Sequence, residues 1–211
     1  MTASTTSPLV HVVDDDAAVR DALALLIASV GLRVQTWADA QAFLAGFDRD
    51  AIGAVVLDVR MPALSGIALL ERLRAEGVDQ PLVMLTGHGT VELCRRAFKA
   101  GAAEFLEKPV DDELLIETLQ QAVRAHVRAR ERTTADRAAR ERYARLSERE
   151  REVLSLVVAG LTNKEIGRAL ALSPRTVENH RAHLFDKLEA ESLAQVVRQY
   201  AELIERDAAA G

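Results

Sequence analysis

Five polar signals in the first half of the chain have the residue types and spacing for phosphoryl chemistry. Asp14 and Asp15 follow the apolar run 9–13, and Asp58 ends the run 54–57. Thr86 ends the run 82–85, and Lys108 follows Phe105-Leu106-Glu107 and precedes Pro109. Each sits where an apolar strand would stop. In an open parallel sheet, ligands bind beyond the carboxyl ends of the strands. The pattern therefore gathers three carboxylates, a hydroxyl and an ammonium at one edge. Crowded carboxylates repel one another unless a cation offsets them, and Mg²⁺ favours a few carboxylate oxygens completed by water and phosphate. Asp14, Asp15 and Asp58 meet that demand as metal ligands. A carboxylate can also act as nucleophile and become an acyl phosphate; Asp58, on the central strand, is the candidate. Lys108 would neutralise charge, and Thr86 would hydrogen-bond a phosphoryl oxygen, with Gly87 leaving room. Asp16 reads instead as a helix cap or a solvent-facing acid.

The elements that must position these groups are legible in the periodicity. Apolar runs lie near residues 9–13, 53–57, 81–85 and 103–107, with a fifth candidate strand at 32–37. Between them, apolar residues recur at helical spacing, as in Val19, Leu23, Leu26, Ile27 and Val30, closed by Gly31. Further helices are expected from Asp39 to Phe47, from Ile67 to near Gly77 and from Val91 to Ala100. Five alternations of strand and helix in some 120 residues predict an α/β fold with a parallel sheet.

Charge divides the chain. Residues 1–123 carry 18 acidic and 10 basic side chains, residues 124–145 carry 3 and 8, and residues 146–211 carry 11 and 9. An acidic block, a basic connector and a nearly balanced block follow in order, and a pI near 5.6 argues against indiscriminate nucleic-acid binding. Cys94 is the one cysteine, which excludes an intramolecular disulfide and suits a cytoplasmic protein. No run approaches the ~18 apolar residues of a membrane span, so no membrane partner is expected. Residues 1–8 read as a disordered tip and 205–211 as a tail.

The connector 124–142 has high helix propensity, with no Gly or Pro to break it. A solvated helix and a helix that pairs with a second copy both fit it. Beyond it every pattern is helical. Ser147 with Glu150 and Thr162 with Glu165 make capping boxes, and Ser173-Pro174 supplies a cap and an N1 proline. Val177, His180, Leu184 and Leu188 mark a third helix; Leu193, Val196, Val197, Tyr200 and Leu203 mark a fourth. The short connection Ala171-Leu172-Ser173 suggests a helix-turn-helix. Its second helix would enter a major groove with Glu178, Asn179 and Ala182 toward the bases. Lys164, Arg175, Thr176, Arg181 and Lys187 are the candidate phosphate contacts.

These stretches carry a resemblance. Val13-Asp14-Asp15-Asp16, Leu57-Asp58-Val59-Arg60-Met61-Pro62, Ser65-Gly66, Leu85-Thr86-Gly87-His88-Gly89, Lys99-Ala100-Gly101-Ala102 and Glu107-Lys108-Pro109 make residues 9–123 similar to the receiver domain of two-component response regulators. Leu146-Ser147-Glu148-Arg149-Glu150-Arg151-Glu152-Val153-Leu154, Asn163-Lys164-Glu165-Ile166 and the run 173–181 make residues 143–204 similar to the LuxR-type DNA-binding domain. Together they resemble the NarL/FixJ family. The resemblance implies a flavodoxin-like five-stranded sheet followed by an all-α four-helix domain. It implies phosphoryl transfer from a cognate histidine kinase to Asp58, with Mg²⁺ as cofactor. It also implies Thr86 and Phe105 as switch residues, a cis Lys108-Pro109 bond and homodimerisation. Double-stranded promoter DNA follows as partner, with RNA polymerase as an optional further one. A phosphatase reading of Asp58 lacks a substrate-pocket motif, so no enzyme is expected. A phosphorylation-independent regulator and a phosphate-sink protein-binding module are the alternatives.

Overall fold

The computed structural model describes residues 7–210. The disordered tip expected over 1–8 falls, for residues 1–6, outside the described residues. The chain forms two compact units, divided between Arg130 and Glu131.

In the first unit, strands β1 (Leu9–Val13), β2 (Arg33–Trp37), β3 (Gly53–Asp58), β4 (Leu82–Thr86) and β5 (Glu104–Glu107) alternate with helices α1 (Ala17–Ser29), α2 (Ala40–Gly46), α3 (Gly66–Ala75) and α4 (Val91–Lys99). The sheet is parallel, in the order β2-β1-β3-β4-β5. This is the flavodoxin-like order, whose switch point lies between β1 and β3. Every residue of β3 and β4 is buried, as expected for inner strands covered on both faces. The two faces give two apolar cores. One joins Phe43, Leu57, Ile67, Leu70 and Met84, and the other joins Val10, Ile27, Val56, Leu85, Leu115 and Leu119.

Helix starts follow their caps. Asp16 accepts from the Ala18 and Val19 amides, so it caps α1. Asp39, Ser65 and Thr90 cap α2, α3 and α4 in the same way, each satisfying an amide that the first helical turn leaves without a partner.

Helix α5 (Asp112–Ala144) is 33 residues long and unbroken. The stretch 124–142, expected as a separate linker, is therefore shared between the units. Its beginning stays on the receiver-like unit: buried His126 places Nε2 3.3 Å from Asp79 Oδ1, and Arg130 donates to Asp79 at 2.9 Å and to the Arg49 carbonyl at 3.0 Å. Its end joins the second core through Ala139 and Tyr143.

The second unit holds α6 (Glu148–Val158), α7 (Asn163–Leu170), α8 (Pro174–Leu188) and α9 (Leu193–Ala210). Both predicted capping boxes form. Its core gathers Leu154, Val157, Ile166, Val177, Leu184, Leu188, Val196 and Tyr200. Two expectations need correction. The tail expected from 205 is helical through Ala210, because α9 continues while Ile204 is still buried. On that helix the apolar stripe is rotated: Ile204 is in the core, whereas Leu193 and Val197 are exposed.

Candidate functional site

At the carboxyl edge of the sheet, β1 delivers Asp14, β3 delivers Asp58 and β5 delivers Lys108. Asp14 and Asp58 are both buried. The Lys108 ammonium lies between them, 2.5 Å from Asp14 Oδ2 and 2.6 Å from Asp58 Oδ1. The remaining oxygens are held by backbone amides: Asp16 donates to Asp14 Oδ1 at 2.9 Å, and Arg60 donates to Asp58 Oδ2 at 2.6 Å. Burial pulls the Lys108 ammonium down, and its hydrogen bonds to Asp14 and Asp58 outweigh that and raise it above its ordinary value. The site thus holds two buried carboxylates against one ammonium, a net negative charge.

Local sequence explains why the strand ends meet here. The Lys108 amide donates to the Thr86 carbonyl at 2.7 Å, extending the β4–β5 pairing, and the Lys108-Pro109 bond is cis. The start of α3 lies close under β3. A Cβ at residue 66 would sit 2.0 Å from the Asp58 carbonyl oxygen, so only Gly66 lets the helix begin there. Thr86 is buried; its hydroxyl lies 3.3 Å from both the His88 carbonyl oxygen and the His88 amide nitrogen. Phe105 is half-buried against the core that contains Leu57, Ile67 and Met84.

Asp15 behaves differently from its two companions: its side chain is exposed. Among the described residues no group of three His, Cys, Asp or Glu side chains is assembled as a metal cage. The buried pair, with one ammonium between two carboxylates, still has the hard oxygen donors and the surplus negative charge that suit a divalent cation.

Sequence reasoning left Arg60, Arg20 and His88 without a role. Arg20 donates to the Asp14 carbonyl at 2.7 Å, and Arg60 reaches His88 across the mouth of the site. Arg60 could have been found from its position two residues after Asp58, the reach of an Asx turn. The Arg20 contact depends on how α1 packs and had no local signal.

The second unit places α7, a three-residue turn and α8 in order. The turn is tight: Ala171 is left-handed, and the Leu172 amide donates to the Gly167 carbonyl at 2.8 Å. A Cβ at residue 167 would lie 2.7 Å from the Leu172 carbonyl oxygen. Ser173 caps α8 through the Thr176 amide, and the two hydroxyls are 2.7 Å apart. Arg175, Glu178, Asn179 and Ala182 are exposed, as are Lys164 and Arg168 on α7. His183, which the sequence reading passed over, is exposed beside Ala182. Arg181 is half-buried and donates to Asn163 Oδ1 at 2.9 Å, tying α8 to the first turn of α7.

Lys187 requires a correction. Its ammonium lies 2.6 Å and 2.8 Å from the two oxygens of Glu150, a carboxylate buried at the start of α6. The group expected to reach a phosphate is an internal counter-ion. Its place at the last turn of α8 is far from the helix N-terminus that would face DNA.

Known proteins share both units. Residues 10–120 match the response regulator receiver domain, and residues 144–200 match the bacterial regulatory proteins of the luxR family. The transcriptional regulatory protein FixJ of Bradyrhizobium diazoefficiens is 44% identical over 194 residues, 92% of this chain and 95% of its own length. The C4-dicarboxylate transport transcriptional regulatory protein DctR of Rhodobacter capsulatus is 40% identical over 191 residues, 90% of this chain and 97% of its own. Among solved structures, the response regulator StyR aligns with a TM-score of 0.83 at 37% identity, covering 93% of this chain and all of that one.

Proposed function

This chain belongs to the response regulators that join a receiver domain to a LuxR-type DNA-binding domain, and from that membership we propose that it regulates transcription through a phosphoryl group carried on Asp58. The observation that carries the reading is the Lys108 ammonium shared between buried Asp14 and Asp58. It leaves one nucleophilic carboxylate beside a fixed positive charge. The donor is a phosphohistidine of a cognate kinase. A carboxylate oxygen of Asp58 attacks phosphorus, and the phosphorus–nitrogen bond breaks with its electron pair going to the donor imidazole, whose other nitrogen already carries a proton so that the ring leaves neutral. Such transfer depends chiefly on positioning and charge neutralisation. Lys108 supplies part of that neutralisation.

Asp14, Asp15 and Asp58 are the residues that would hold Mg²⁺. The ion would supply the remaining neutralisation of the phosphoryl oxygens.

The new group carries roughly −1.5 to −2 charge and strong acceptor oxygens. Thr86 turns its hydroxyl from His88 to that group, and Phe105 fills the space it leaves. The face around α4 and β5 changes and two receivers pair. Joining two weak DNA-binding modules raises apparent affinity by roughly 10²–10⁴, on half-sites about one helical turn apart, roughly 34 Å. On α8, Glu178, Asn179 and Ala182 read bases, while Lys164, Arg175, Thr176 and Arg181 hold phosphates. Among the described residues no helix is long and apolar enough to cross a membrane, and we place the protein in the cytoplasm, acting on promoter DNA without enzymatic turnover of a separate substrate.

The test is Asp58→Asn. The wild-type chain should take up a phosphoryl group from acetyl phosphate, dimerise and shift promoter DNA at lower concentration. The variant should do none of these. Unchanged dimerisation and DNA binding in the variant would reject the reading.

A further inference from the structure

The two loops that flank the Asp58 pocket are joined by a side-chain bridge that the phosphoryl chemistry above does not use. Arg60 Nη2 lies 2.7 Å from His88 Nδ1. A guanidinium has no acceptor atom, so Arg60 donates and the neutral ring nitrogen of His88 accepts. The guanidinium passes over Gly87, where a Cβ would stand 3.7 Å from Arg60 Nη2. The same two residues are fastened to the pocket by their backbones. The Arg60 amide donates to Asp58 Oδ2, and the His88 backbone holds the Thr86 hydroxyl on both its amide and its carbonyl. Contacts therefore run from Asp58 to Arg60, on to His88 and back to Thr86, and Lys108 closes the ring with its amide on the Thr86 carbonyl and its ammonium on Asp58. A further tether, from the Gly89 amide to Glu107 Oε1 at 3.1 Å, holds the far end of the same loop.

We propose that the Arg60–His88 bridge is a latch that holds Thr86 in its resting position until a phosphoryl group on Asp58 draws Arg60 away. The inference rests on the reading of Asp58 as phosphoacceptor. A guanidinium bond to a neutral imidazole has one charged partner. A bond to a phosphoryl group has two, and the planar fork can make it bidentate. Both acceptors lie within reach of the same side chain, because Arg60 starts at Asp58 and ends at His88. The dianion wins the competition and His88 loses its partner. The 86–89 loop then keeps its backbone ties, the Lys108 amide on the Thr86 carbonyl and the Gly89 amide on Glu107. Thr86 is free to leave the His88 backbone and turn toward the new oxygens. Arg60 and His88 are positioning residues in this scheme: one senses the charge, the other passes its departure to Thr86.

The experiment uses the full chain with Mg²⁺ and beryllofluoride, followed by the Arg60 Nε signal and the Gly87 and Gly89 amide signals in nitrogen-15 NMR. In the wild type the Arg60 Nε signal should move as the site fills. If beryllofluoride leaves every signal of the pocket unmoved, the phosphoacceptor reading fails and the latch with it. If the backbone signals of the pocket move and Arg60 Nε stays, only the latch is overturned. In His88→Ala and in Arg60→Ala, the Gly87 and Gly89 amides should move without beryllofluoride, and to similar positions. Wild-type positions in either variant mean the bridge restrains nothing. His88→Ala, with its melting temperature as the check on folding, should also accept phosphoryl groups from acetyl phosphate about fivefold faster, the rate equivalent of one ordinary hydrogen bond. An equal or slower rate in the folded variant overturns the proposal.

Discussion

Lys187 Nζ lies 2.6 Å from Glu150 Oε2 and ties the last turn of α8 to the first turn of α6. Burial pushes the Glu150 carboxyl up, and the Lys187 ammonium with the Ser147 amide and hydroxyl outweighs it, leaving the group below its ordinary value. Lys187→Met should therefore destabilise the second unit by about 1–2 kcal/mol. That is less than a fully buried pair would lose, because the ammonium is partly in water. Glu150 contributes above the ordinary carboxylate range, and its contribution fades as pH falls through and below 4.5. Urea titration measures the loss. The salt dependence of DNA binding should keep its slope in the folded variant, whereas a lost phosphate contact would reduce it by about one.

In the first unit, two buried carboxylates share one ammonium. Asp58→Asn removes the surplus charge, so the variant should be more stable than the wild type by about 1 kcal/mol. That corresponds to a rise in melting temperature of roughly 2–4 °C. Mg²⁺ should raise the wild-type melting temperature and leave the variant nearly unmoved, since a ligand stabilises only the form that binds it. An equal rise in both proteins would place the ion elsewhere.

His11 makes stability depend on pH. The residue is buried on β1, accepts a hydrogen bond from Trp37 Nε1 at 3.1 Å, and is packed edge-on by Phe43 and Phe47. Burial, opposed by the charge of Asp48, lowers its pKa from 6.5 to about 4. Between those values the unfolded chain binds the proton and the folded one does not. Stability therefore falls as pH drops from 6.5 to 4, by about 3 kcal/mol at most for such a shift. His11→Phe should flatten that part of the stability curve, as denaturation at several pH values would show. A wild-type slope that survives in the variant assigns the effect to another group.

Asn179 and Lys164 should fail in different ways on DNA. Asn179→Ala should weaken the specific operator by about 1–3 kcal/mol at one base position, and Lys164→Ala should weaken all sequences alike. Competition between operator and random DNA at fixed salt separates the two, and equal losses on both targets would reject the division.

The residues themselves revealed much of this protein. Alternating apolar runs gave the strands, because inner parallel strands bury both faces and must be apolar throughout. Capping residues such as Asp39, Ser147, Thr162 and Ser173 gave the helix starts, because a cap acts over three residues and leaves a local mark. Asp14, Asp58, Thr86 and Lys108 could be named because each ends a strand, and a parallel sheet puts all such ends on one edge. Other features had no local mark. The tie of Lys187 to Glu150 joins residues 37 apart in sequence, and a free surface lysine and one paired with a buried carboxylate look alike in a string of letters.

What the sequence determined by itself is the inventory of elements and the edge on which the acids gather. Both follow from periodicity and chain direction. What the tertiary structure decided is which charge meets which: Lys108 between Asp14 and Asp58, Arg60 on His88, Arg130 on Asp79, and α5 divided between two cores. Pairing of that kind depends on distances of a few ångströms between segments far apart in the chain. Only packing fixes such distances, because Coulomb and hydrogen-bond energies change steeply over that range while sequence separation carries no record of it.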